Sequence, residues 1–242
     1  MSSPTAHEPM SASAPRRILI TGFEPFDGAD RNPSWDLADE LRRRADRGVS
    51  TVASERSADG ESLELHTLLL PVEFGPAGTR LRARLDELAA AGEAPDLVVA
   101  LGLAAGTEAV ALERVGLNLR DARIPDNGGT QPIDEPVVDG GPEARFATLR
   151  LKASLARIAA AEIPVHLSLS AGTFVCNDVL YTLLDHLDRT GADARGGFVH
   201  VPDLHSPDSP VTFDQAVQAV EMLLAESLHP IPDAVAAAGA LH

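Results

Sequence analysis

Short apolar runs alternate with longer amphipathic stretches through most of the chain. Residues 17–22 place Ile18, Leu19 and Ile20 in one block closed by Gly22, and residues 63–70, 97–103, 165–170 and 197–201 repeat that form. Such blocks suit strands buried on both faces of a sheet. Between them, apolar positions recur at helical spacing over residues 34–45, 76–91, 146–161, 173–187 and 212–228, and Asn32-Pro33-Ser34 supplies cap chemistry for the first of these helices. Residues 109–119 alternate apolar and other side chains, broken by charges. Residues 46–62 are polar and without a period, which predicts an irregular surface connection with no assigned function.

Strands separated by helices of this length imply parallel pairing through right-handed crossovers. The fold class is therefore α/β: a single-domain three-layer sandwich, with a mostly parallel central sheet and helices on both faces. Ligand sites in such folds gather at strand C-terminal ends. Three segments answer to that rule here: the loop after Gly22, the turn after Ser170, and the end of the strand that holds His200. Residues 1–15, rich in Ser, Pro and Ala, read as a disordered tail, and residues 16–242 as the domain.

Composition narrows the functions open to this fold. The formal charge is −16, from 36 acidic against 20 basic side chains, and no Lys/Arg stripe could neutralise a phosphate backbone, so a nucleic-acid partner is not expected. No apolar run approaches the ~20 residues of a membrane span, and the first residues lack a secretory core, which points to a soluble cytoplasmic protein. One cysteine and eight histidines with no HExxH pattern predict neither a disulfide nor a bound metal, and no phosphate-cradling glycine motif follows any strand. No cofactor is expected.

Cys176 is thus either a small buried hydrophobe or a nucleophile. It lies just behind Ser170-Ala171-Gly172-Thr173, where a strand gives way to a helix, and the free N–H groups of a first helical turn favour a thiolate. His200, in Gly197-Phe198-Val199-His200-Val201-Pro202, stands on a rigid apolar strand and reads either as a packed core residue or as the base for that thiol. His186, about three turns further along the helix, should be carried away, and His205 sits in a polar loop that looks solvated. Glu113 interrupts an apolar stretch. It could orient an imidazole or simply pair with Arg114. Arg123, in Asp121-Ala122-Arg123-Ile124-Pro125-Asp126-Asn127, is either an oxyanion donor or the partner of Asp121 or Asp126. Phe23 and Phe26 either grip a substrate or pack.

Four segments together resemble the pyroglutamyl peptidase I family of cysteine peptidases. They are Thr21-Gly22-Phe23-Glu24-Pro25-Phe26 with Asn32-Pro33-Ser34; Glu113-Arg114-Val115 through Asn127; Ser168-Leu169-Ser170-Ala171-Gly172-Thr173-Phe174-Val175-Cys176-Asn177; and the segment around His200. The resemblance implies a peptidase that removes N-terminal pyroglutamate from peptides through a thioester, and a homo-oligomer, tetramer or dimer. It implies Cys176 as nucleophile, His200 as base then acid, and Glu113 as the group that orients the ring. It further implies Arg123 at the oxyanion, Phe23 and Phe26 around the lactam ring, Asn32 supporting their loop, and Ile124 and Val175 as substrate contacts. Asp27 stands where the family usually has glycine, Leu103 where some members have glutamine, Thr107 where arginine is usual, and Arg145 and Arg150 where tyrosine and proline are more typical. A noncatalytic lactam-binding protein on the same fold is the alternative.

Overall fold

A computed structural model describes residues 14–58 and 62–239; most of the expected N-terminal tail, residues 1–13, lies outside the described residues. In chain order the elements are β1 (Arg16–Phe23), α1 (Pro33–Asp46), α2 (Thr51–Ala58), β2 (Leu63–Leu70), α3 (Pro76–Ala90), β3 (Leu97–Leu103), β4 (Val110–Glu113) and β5 (Val115–Leu117). They continue as β6 (Ala144–Phe146), α4 (Leu151–Ala160), β7 (Val165–Ser168), α5 (Val175–Thr190), β8 (Arg195–Val201) and α6 (Phe213–Ser227).

Six strands form one sheet in the order β2-β1-β3-β8-β4-β7, and side chains alternate across it, as the two-residue period of a strand requires. Ile18, Ile20, Val99, Leu101, Leu112 and Val199 face α1, α4 and α6 in one apolar layer; Leu19, Val98, Ala100 and Phe198 face α3 and α5 in the other. The three-layer α/β sandwich read from the sequence is the observed architecture. The central strands are buried almost throughout, which is why their sequences form near-continuous apolar blocks.

Three features depart from the reading of the sequence. β4 pairs antiparallel with β8 and parallel with β7, so β7 also runs against β8 and its C-terminal end does not lie with those of β1, β3 and β8. The turn after Ser170 therefore reaches the site by folding back over the sheet, not by leaving it at the shared C-terminal edge. Residues 109–119 are two strands in different sheets, since β5 pairs with β6 in a separate ribbon. Phe146, the first residue of the expected helix 146–161, belongs to that ribbon, residues 147–150 form a loop, and helix starts only at Leu151. Residues 46–62, expected to be irregular, include helix α2, which buries Val52 and sends the Thr51 hydroxyl to Glu221 of α6 at 2.9 Å. One buried apolar anchor among the described side chains is too little to write a helical period.

Candidate active site

The register of the sheet assembles the site. Gly102 of β3, His200 of β8, Ala111 of β4 and His166 of β7 lie side by side across four strands, with Ala100, Phe198, Glu113 and Ser168 in the next such row on the same face. His200 and Glu113 thus stand diagonally on neighbouring strands. His200 Nδ1 and Glu113 Oε1 are 2.8 Å apart, with His200 at 7% and Glu113 at 2% exposure. Glu113 Oε2 is buried without a hydrogen-bond partner among the described residues. Glu113 is therefore bound to the imidazole and does not pair with Arg114.

Cys176 is the second residue of α5, whose first turn has no side-chain cap. Its Sγ lies 3.0 Å from where a Cβ on Gly102 would stand, so the bare strand at Gly102 lets the thiol approach the sheet. Cys176 is half-buried and lines the same cavity as His200, near enough to act on its imidazole. Glu113 holds Nδ1, which leaves Nε2 for the sulfur. Burial alone would push the His200 imidazole down; the charge of Cys176 and its hydrogen bond, followed by the hydrogen bond and charge of Glu113, outweigh it and push the imidazole up to about 10. The arrangement sets the imidazole between a sulfur able to attack and a carboxyl group able only to orient.

The trio faces a cavity of about 410 Å³, whose walls include Leu103, Thr107, Ala111, His166 and Phe174. A neighbouring recess of about 420 Å³ is lined by Asp121, Arg123, Ile124, Thr173 and Phe174, so Phe174 stands between the two. Arg123 is exposed and makes no ion pair or hydrogen bond with any described residue; Asp126, its candidate partner, accepts instead from the N–H groups of Phe74, Gly128 and Thr130. Ile124 is 47% exposed at the same rim. The two phenylalanines of the first loop do not face each other. Phe26 packs on Phe174 with ring centroids 5.4 Å apart, while Phe23 is buried against Phe198 at 6.4 Å. Val175 is also buried, so its side chain packs in the core and does not face the cavity.

Asn32 fixes the loop that carries Phe26. Its amide donates to Glu24 O at 2.9 Å, and its Oδ1 accepts from Ser34 N and Ser34 Oγ, while Ser34 Oγ accepts from Phe23 N. Asp27 holds φ of 53°, a left-handed conformation that accounts for the glycine usual at this position. Leu103 and Thr107, two other departures from the family pattern, both line the cavity. Arg145 pairs with Asp185 and Asp188, and Arg150 with Glu226, away from it. His186 lies near Asp86 at 3.6 Å, and His205 is exposed as expected and also lies 2.8 Å from Asp36 of α1.

The side chains just after Cys176 carry a role the sequence reading did not assign. Asn177 Oδ1 accepts from Leu117 N, and its amide donates to Leu117 O and Leu119 O, tying the start of α5 to β5. Asp178, fully buried, accepts from Arg120 at 2.6 Å and from Gly75 N at 3.2 Å; burial pushes its carboxyl up, against the opposing pull of Arg120. Two polar residues directly behind a lone cysteine, on the face a helix must bury, were the available signal.

The pyroglutamyl peptidase family model matches residues 16–238. The pyrrolidone-carboxylate peptidase of Erwinia tasmaniensis is 43% identical over 233 residues, covering 94% of this chain and all of that protein. That of Clavibacter michiganensis is 44% identical over 207 residues, covering 85% of this chain and 86% of the relative. Among solved structures, pyroglutamyl peptidase I from Bacillus amyloliquefaciens superposes with a TM-score of 0.78 at 29% identity, over 92% of this chain and all of the other. A mutant pyrrolidone carboxyl peptidase from Pyrococcus furiosus gives 0.74 at 32% identity, over 88% and 98%. With a fold and a chain-long sequence match that agree, the chain belongs to the pyroglutamyl peptidase family.

Proposed function

We propose that this protein removes N-terminal pyroglutamate from peptides, with Cys176 as nucleophile, His200 as base and acid, and Glu113 as the group that orients His200. The observation that carries the reading is the Glu113–His200–Cys176 chain of contacts at the floor of the cavity. Cys176 Sγ attacks the pyroglutamyl carbonyl carbon. The imidazolium proton passes to the leaving nitrogen as the C–N bond breaks, leaving a thioester. His200 then takes a proton from water, whose oxygen attacks the thioester carbonyl, and the C–S bond breaks to regenerate the sulfur anion beside the imidazolium.

The uncapped N–H groups at the start of α5 point positive charge at the developing oxyanion, and Arg123 joins them as the side-chain donor; its lack of a competing partner among the described residues supports that role. Pyroglutamate is a flat, uncharged ring without a free amine, so apolar faces recognise it. Phe26, Ile124 and Phe174 supply them at the rim. Phe23 supports that wall from the core side, Asn32 holds the loop, and Val175 contributes its backbone. Among the described residues no helix is long and apolar enough to cross a membrane. A cytoplasmic enzyme that works with a reduced thiol, assembled as a homo-dimer or tetramer, completes the proposal; mass in solution tests the assembly, and a monomer at working concentration refutes it.

The test is release of aminomethylcoumarin from its pyroglutamyl amide. The wild type is expected to turn it over, and Cys176→Ser and iodoacetamide each to abolish release. Tight binding of pyroglutamate by the wild type without turnover would instead make the protein a lactam-binding one.

A further inference from the structure

We infer that His166 is a specificity residue on the leaving-group side of the cleft, where it hydrogen-bonds the peptide beyond the scissile bond. The inference rests on the peptidase reading above and names how that site distinguishes a peptide from a simple amide. The lactam side of the cleft is the apolar rim of Phe26, Ile124 and Phe174. The remainder of the cavity extends the other way, over Ala111, to His166 on the edge strand β7.

Sheet register places His166 on the same face and in the same row as His200, with only Ala111 between them. Two inter-strand steps put the two histidines about 10 Å apart along the row. An extended peptide advances about 3.3–3.6 Å per residue, so about three residues after the leaving nitrogen pass over Ala111 and reach His166. The alanine matters here, because a bulky side chain in that row would close the path.

The other polar side chains around the cavity each already have a partner; Ser170 Oγ, for one, accepts from Gly172 N. Ser168 Oγ donates to Ser170 O and accepts from Ser170 N, and Thr107 Oγ1 donates to Ala109 O. Glu113 is bound to His200. His166 is exposed at the cavity mouth and has no hydrogen bond or ion pair with any described residue. Leu103, Ala104 and Ala171 give the rest of the wall an apolar character with no fixed charge. The peptide segment favoured here is therefore uncharged in its side chains and is held through a backbone amide, which His166 can meet as donor or acceptor.

The experiment compares pyroglutamyl-Ala-Ala-Ala-amide with pyroglutamyl-aminomethylcoumarin, which has no peptide backbone beyond the scissile bond. His166→Ala is expected to lower the peptide-to-coumarin ratio of kcat/KM about five-fold, mainly through KM for the peptide, since one neutral hydrogen bond carries a factor of this size. His166→Gln, which keeps a donor and an acceptor, is expected to restore most of the ratio. An unchanged ratio in His166→Ala, or no recovery in His166→Gln, overturns the assignment. A wild type that cleaved neither substrate would instead bring down the peptidase reading, and this inference with it.

Discussion

Adding one methyl group at Gly102 tests the geometry of the whole site. A Cβ built there would stand 2.6 Å from Phe198 Cζ, 2.8 Å from Cε1 and 3.0 Å from Cys176 Sγ. Carbon atoms rest at about 3.5–4.0 Å, so the ring and the sulfur together must yield by up to about 1 Å. The ring has nowhere to go: Phe198 is fully buried, with Phe23 at 6.4 Å on one side and His200 at 4.7 Å on another. Gly102 does not hold a positive φ, so Gly102→Ala carries no backbone strain and would by itself stabilise by about 0.4–1 kcal/mol. Overpacking of a fixed core costs about 1–3 kcal/mol and outweighs that gain. The expected result is a lower urea midpoint, a fall in kcat/KM on the coumarin substrate of about 10²-fold from misplacement of Cys176 against His200, and slower alkylation by iodoacetamide. A variant with kcat/KM within two-fold of wild type and an undiminished midpoint would refute the close approach of strand and thiol.

Two other outcomes are expected. Glu113→Gln should lower kcat/KM by about 10²-fold or more, because the amide neither fixes the imidazole nor supports its charge. It should also change the dependence of stability on pH. The folded-state value of His200, about 10, lies above the unfolded 6.5, so its contribution is fully present below about pH 6.5 and is lost as pH rises through about 10. The gap between wild type and Glu113→Gln, read from urea midpoints, should narrow from pH 7 to pH 10.5, and a constant gap would contradict the assigned cause. Asn32→Ala removes a helix cap and the anchor of the Phe26 loop, at about 1 kcal/mol, and should raise KM for pyroglutamyl substrates more than it lowers kcat. An effect on kcat alone would place the loop's role elsewhere.

What the sequence disclosed follows from what each residue must satisfy locally. Apolar strands and amphipathic helices write their pattern into a short window, so β2 and β3 could be bounded to the residue, and the lone cysteine beside a strand-to-helix junction was conspicuous. Pairing direction is not written locally. Nothing within Val110–Glu113 states that it runs against β8, yet that reversal sets Glu113 diagonally to His200 and turns β7 so that His166 falls in line with it. The role of Glu113 was correspondingly ambiguous from its neighbours alone, since Arg114 next door offered an adequate partner, and only the resemblance to a family ranked the two. Phe23 and Phe26 illustrate the same limit: three residues apart in one motif, they point to different rings, one into the core and one to the rim, because β1 ends at Phe23 and the chain leaves the sheet between them. The chemistry of this site is therefore borne by residue types that a sequence can display, while its selectivity depends on strand register, which it cannot; a departure such as Leu103 or Thr107 gains meaning only once the cavity wall it belongs to is known.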